Sequence, residues 1–190
     1  LPINRIQLIG SHNSYKQPVD PALFKIFTRT DSVSASKIDY GHISFTEQLD
    51  LGLRNLEMDI YADAKGGKYA SPQGLNWAKN QAPFDPEGEM KVPGFKMLHI
   101  PDLDFRSNVL TLQSGLTELK EWSKSNPNHT PVFITLEAKD DTIKRPGFTQ
   151  PEKFNSQTFD ELDRMIVKYL GREHLIVPGQ VKGKFKTLSL

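Results

Sequence analysis

The chain holds 190 residues, 37% hydrophobic and 25% charged, with 24 Lys plus Arg against 23 Asp plus Glu and a net charge of +1. That length fits one domain of about 100 to 200 residues with a single core, and the balanced charge gives no reason to expect a polyanion such as nucleic acid as partner. No apolar stretch approaches the roughly 20 residues that cross a bilayer, and the absence of Cys removes disulfides, thiolate nucleophiles and Cys-ligated zinc while leaving the redox compartment open. The opening Leu1-Pro2-Ile3 has no initiator Met and no leader pattern, so the start reads as processed or trimmed. Ile3 to Gly10 reads as a first strand, followed by an irregular stretch to about His42 that holds a short helix at Pro21 to Phe27. Ser44 and Glu47 form a capping box for a short helix that stops at Gly52. Leu53 to Ala62 is a second strand. The Gly-, Pro-, Asn- and Lys-rich segment from there to Gly94, with a turn of helix near Trp77, is long for a connection.

Phe95 to Ile100 reads as a third strand. Val109, Leu112, Leu116, Leu119 and Trp122 then recur at the spacing of an amphipathic helix, which Asn126-Pro127-Asn128 ends. Val132 to Leu136 is a fourth strand. Thr158 and Glu161 form a second capping box, opening a helix with the stripe Leu162, Met165, Ile166, Tyr169 and Leu170 and a stop at Gly171. His174 to Val177 reads as a fifth strand, stopped by Pro178. Alternating strands and helices predict a parallel sheet with helices outside, either a barrel or an open doubly wound sheet. The phosphate-loop and dinucleotide fingerprints that would favour the open sheet are absent.

The first four strands each end in polar residues: Ser11-His12-Asn13, Glu57-Met58-Asp59, His99, and Glu137-Ala138-Lys139. In a parallel barrel the carboxyl ends of all strands share one face, where active sites are assembled. Glu57 and Asp59 are two apart and point to one side of their strand, and the same alternation pairs Glu137 with Lys139. Three converging carboxylates repel unless they are protonated or neutralised, and all-oxygen ligands favour calcium or magnesium as the neutralising ion. Taken singly, Glu57 and Asp59 fit an exposed edge or an ion pair with Arg54 or Lys139, His12 a cap, and His99 a core histidine. Their coincidence at four strand ends favours a shared site. His42, His129 and His174 lack this placement and read as structural. The Asn128-His129-Thr130 sequon and the Lys182, Lys184, Lys186 tail are assigned no role.

Gly10-Ser-His-Asn-Ser-Tyr15, Leu53-Arg-Asn-Leu-Glu-Met-Asp-Ile60, Met97-Leu-His-Ile100 and Pro131-Val-Phe-Ile-Thr-Leu-Glu137 together resemble the calcium-dependent phosphoinositide-specific phospholipases C. Leu98-His-Ile-Pro-Asp-Leu-Asp-Phe105 and the Leu-Glu-Ala-Lys139 ending are most similar to the bacterial-type branch, and the likeness runs from Arg5 to Pro178. The resemblance implies a distorted TIM-like β/α barrel and one Ca2+ held by Asn13, Glu57, Asp59 and Glu137. It implies His12 and His99 as the catalytic histidines and Lys139 as a contact to substrate phosphate or inositol. The implied reaction is attack of the inositol 2-hydroxyl on phosphorus, releasing diacylglycerol and a cyclic inositol phosphate. The resemblance further implies that His12 handles the proton on the nucleophile side and that His99 is the acid protonating the departing glycerol oxygen.

A full barrel has eight strands and typically about 250 residues, whereas about five strands are legible here. Residues 1–190 are therefore expected to form a single catalytic barrel domain lacking its C-terminal closing part, monomeric when complete. The resemblance further implies a phosphatidylinositol-type lipid substrate, transient contact with a membrane surface, no nucleic acid, and a secreted or periplasmic location. The segments Lys16 to Tyr40 and Asp63 to Phe95 are expected to form mobile loops over the site, offering Phe24, Phe27, Tyr69, Trp77 and Phe84 to lipid. Two alternatives stand. One is a glycerophosphodiester phosphodiesterase on a related barrel, whose first His is usually followed by Arg where Asn13 stands here. The other is a catalytically silent lipid- or glycan-binding barrel.

Overall fold

The structure, a computed structural model, describes residues 5–187. Its sheet is built around β2 (Asn55–Asp63). Asn55 to Ile60 pair in parallel with β4 (Phe133–Ala138), while Asn55 and Leu56 pair in parallel with the two-residue β1 (Gly10–Ser11). Ile60 to Asp63 pair with β3 (Gly94–Met97). Because Ile60 bonds to both Met97 and Ala138, β3 and β4 lie on opposite edges of β2, and β1 precedes β3 along the same edge.

β3 is antiparallel to β2, which corrects the expectation of an all-parallel sheet. The reason is local. Asp63 pairs with Gly94, so the long connection returns the chain to the point where β2 ended, and β3 can only run back alongside it. The remainder of the sheet keeps the parallel order expected of an α/β barrel.

β2 separates two environments by its period of two. Leu56, Met58 and Ile60 are fully buried on one face, where they meet Phe45 and Leu49 of α3 (Phe45–Asp50). Leu112, Leu116, Leu119 and Trp122 of α5 (Leu112–Ser125) complete this contact. Each such side chain contributes roughly 1.5–3 kcal/mol of burial. Close approach requires Gly115 in α5, where a Cβ would stand 2.8 Å from the Met97 methyl. The opposite face of β2 carries Glu57, Asp59 and Tyr61. The Ser44 capping box holds as expected, with the Ser44 side chain accepting from the Glu47 N–H and Glu47 accepting from the Ser44 N–H.

The segments expected as mobile loops are packed. Residues 21–38 form α1 (Pro21–Thr30) and α2 (Ser32–Ile38), whose Leu23, Phe27, Ala35 and Ile38 build a second core with Leu103, Phe105 and Ala78. Ala78 directly follows α4 (Gly74–Trp77). Phe27 and Tyr69, offered by the sequence to lipid, are buried, whereas Trp77 remains 42% exposed beside Phe148. Asp102 clamps this region by accepting from the backbone N–H groups of Gln73 and Thr149.

Three further expectations change. Described residues Arg5 to Ile9 form no strand, and only Gly10 and Ser11 pair, with Ile9 76% exposed. α6 (Ser156–Leu170) is capped by Asn155, whose side chain accepts from the Thr158 N–H, so Thr158 lies inside the first turn. His174 to Val177 is no strand. It leaves a 3-10 turn (Arg172–His174) and enters α7 (Pro178–Lys182), with Ile176 64% exposed and no neighbouring strand among the described residues to accept it. Four strands, not five, stand among the described residues.

Candidate active site

Glu57 and Asp59 project from one face of β2, and the β2–β4 register sets Asp59 directly opposite Glu137. One oxygen from each of these three carboxylates lies within 4.8 Å of the other two. Their surroundings differ. Glu57 Oε2 accepts from the Asn13 N–H at 2.6 Å, and its Oε1 is buried with no hydrogen bond. Both Asp59 oxygens are buried without a hydrogen bond, and Oδ2 lies 3.6 Å from the Lys139 ammonium. The Glu137 side chain is 56% exposed and takes Lys139 Nζ at 3.0 Å.

Burial, against the pull of Lys139 and reinforced by Glu57 and Glu137, pushes the Asp59 carboxyl up to about 7. The Lys139 hydrogen bond holds Glu137 below the ordinary carboxylate range. Burial works against the charge of Lys139 itself, but Asp59 and Glu137 overcome it and hold its pKa above the usual value. Lys139 therefore sits against the carboxylates that the sequence assigns to calcium.

Asn13, the fourth expected ligand, adopts a left-handed backbone with φ 52°, which aims its N–H at Glu57. Its carboxamide is oriented by two phenols. Oδ1 accepts from Tyr15 at 3.1 Å, and Nδ2 donates to Tyr40 at 2.7 Å. Burial, with Asp59 and Glu57 nearby, drives the Tyr15 hydroxyl far above its usual range, so it stays a donor. Oδ1 retains a second lone pair for a cation. This donor set fits calcium: hard oxygens only, three carboxylates, and buried Asp59 oxygens that no protein donor satisfies.

His12 is exposed at the end of β1, with Nδ1 3.5 Å from both Asn13 Nδ2 and the Tyr40 hydroxyl. Its carbonyl is 2.9 Å from Nε2 of His42, which thus braces the loop beneath the site, in line with the structural role read from the sequence. His99 reaches the site by a route the sequence does not reveal. β3 ends at Met97 and His99 stands in the bend beyond it, near enough to act on the Asp59 carboxyl, while the Tyr61 hydroxyl donates to its carbonyl at 2.9 Å. Its Nδ1 lies 2.7 Å from Oδ2 of the fully buried Asp104. The sequence pattern does not single out Asp104. The available signal is Pro101-Asp102: Asp102 takes φ 69° and turns the chain so that residue 104 pairs back with residue 100.

Residues 1–190 match the family model described as phosphoinositide phospholipase C, Ca2+-dependent. The chain belongs to that family. No curated protein matches it. Among solved structures it is similar to the calcium-dependent phosphoinositol-specific phospholipase C of the Gram-negative bacterium Pseudomonas sp., apo form, myoinositol complex. That match has 17% identity and a TM-score of 0.52, over 95% of this chain and 46% of that one. It is also similar to the Ca2+-dependent phosphatidylinositol-specific phospholipase C of Streptomyces antibioticus, at 18% identity and a TM-score of 0.51, over 93% of this chain and 42% of that one. The chain thus spans less than half the length of the structures it matches, and the shared feature is an α/β fold corresponding to part of a TIM-like barrel.

Proposed function

We propose that this chain carries the catalytic face of a calcium-dependent phosphodiesterase that cleaves phosphatidylinositol-type lipids to diacylglycerol and a cyclic inositol phosphate. The observation that carries this reading is the Glu57, Asp59 and Glu137 cluster with its unsatisfied Asp59 oxygens, beside a His99–Asp104 pair. Asn13 Oδ1 and the three carboxylates hold one Ca2+. When bound, the ion offsets charge on the phosphoryl oxygens and lowers the pKa of the attacking hydroxyl. His12 takes the proton from the inositol 2-hydroxyl as its oxygen bonds to phosphorus. His99, committed to Asp104 through Nδ1, gives a proton from Nε2 to the glycerol oxygen as the phosphorus–oxygen bond breaks. To Lys139, held beside Asp59 and Glu137, we assign the contact to substrate phosphate.

Residues 1–190 form part of one barrel domain that further strands close, and the complete protein acts as a secreted or periplasmic monomer touching membranes transiently. The half-length match to the solved enzymes and the half-exposed β4 support the partial barrel. Among the described residues no helix is long and apolar enough to cross a membrane. The test is head-group release by the complete protein from phosphatidylinositol vesicles and from glycerophosphocholine, each with calcium and with chelator. Calcium-dependent release of a cyclic inositol phosphate is expected from the lipid alone. Cleavage of glycerophosphocholine, or chelator-resistant activity, contradicts the reading.

A further inference from the structure

Lys16 has no exposed surface, although a buried ammonium is among the most expensive groups to take from water. Its Nζ donates to the carbonyls of Ile38 at 2.9 Å and Tyr40 at 2.6 Å, with that of Gln17 at 3.2 Å. Its one carboxylate partner is Asp104 Oδ1, at 3.2 Å. The other oxygen of Asp104 is the one that holds His99 Nδ1. A continuous chain of contacts therefore runs from a buried cation through a buried anion to the imidazole. The backbone of Lys16 fixes where this chain starts. Its N–H donates to the Asn13 carbonyl, its carbonyl accepts from His42, and the residue bridges Ser107 just beyond Asp104. Tyr40, whose carbonyl and ring both face the ammonium, also presents the phenol that orients Asn13.

An apolar residue would fill this space more cheaply if packing were the only need. We propose that Lys16 is a positioning residue for the acid step: its ammonium holds the Asp104 carboxylate on His99 Nδ1, so that His99 presents Nε2 to the leaving oxygen. Buried carboxylates paired with imidazoles act in this way by fixing tautomer and orientation. Lys16 itself touches no substrate. The inference rests on the functional reading above and extends it to a residue outside the catalytic group.

The test uses the complete protein with Lys16→Met, Asp104→Asn and the two combined. Two substrates are compared: phosphatidylinositol vesicles and a soluble inositol phosphodiester with a nitrophenolate leaving group, which departs without protonation. Each variant is expected to lose about 10²-fold in kcat on the lipid. The double variant should lose no more than the worse single one, because both act through one group. The nitrophenyl substrate should lose less than about fivefold, as expected for an interaction confined to leaving-group protonation. Calcium affinity by calorimetry should be unchanged. Lys16→Met leaves Asp104 buried and unpaired, so if it fails to fold, the double variant, which removes both charges, carries the comparison alone. Equal losses on both substrates, multiplied losses in the double variant, or no loss at all would overturn the role of Lys16. Absence of phosphatidylinositol cleavage by the unmodified protein would instead remove the functional reading, and this inference with it.

Discussion

The two halves of the sheet are built differently. From Tyr15 to Trp122 the chain supplies every buried hydrophobic residue among those described except Leu162. From β4 onward, Phe159, Val167, Ile176, Val181 and Phe185 are exposed. The site divides along the same line. Asp59 on β2 is 1% exposed, whereas the side chain of Glu137, its partner across the register on β4, is 56% exposed. That asymmetry accounts for their opposite behaviour, since burial raises the Asp59 pKa and the Lys139 hydrogen bond lowers that of Glu137. One wall of the site is buried, and the other is open.

The sharpest way to break this contrast is Asp59→Asn. It should reduce calcium-dependent lipid cleavage by on the order of 10³-fold, equivalent to several kcal/mol of transition-state stabilisation. The same change removes a buried carboxylate that no donor satisfies, so thermal melting in chelator at pH 8 should occur at a higher temperature than for the unmodified protein. Loss of activity together with lower stability would count against the idea that Asp59 is held for a cation.

Packing offers the next contrast. Leu116→Ala, within the core between sheet and α5, should destabilise by about 2–5 kcal/mol in denaturant titrations. Val167→Ala, on the open side of α6, should stay within about 0.5 kcal/mol in residues 1–190. Similar losses at both positions would show that the second half is as fully packed as the first.

A smaller effect concerns pH. Asp59 titrates near 7 in the fold against 3.8 ordinarily, so the calcium-free protein binds this proton more tightly than the unfolded chain does. Its contribution to stability is complete below 3.8, declines as pH rises, and levels off above about 7. Melting in chelator across that window should show the decline, and Asp59→Asn should remove it.

Much of the site was legible because strand ends carry their chemistry in short runs. Glu57 and Asp59 share a face by strand alternation alone, and Glu137 joins them once β4 is parallel to β2. The Ser44 cap and the α5 stripe were equally plain. The direction of β3 was not, because it depends on where a long connection brings the chain back rather than on any pattern within the strand. Ile6 to Leu8 and His174 to Val177 have apolar character but lack a pairing strand among the described residues, and strands require partners as well as propensity. Asp104 and Lys16 were hidden for a further reason: the Ile100–Asp104 turn and the Lys16–Ser107 bridge bring them together from distant positions, and a Lys is rarely fully buried unless paired.

The central claim is that the carboxylates of β2 and β4 form one cation site. Calorimetric titration of the complete protein with calcium, alongside Asp59→Asn, tests it most directly. The account predicts one ion per chain for the unmodified protein and binding lost in the variant. Calcium bound equally well by both would contradict it.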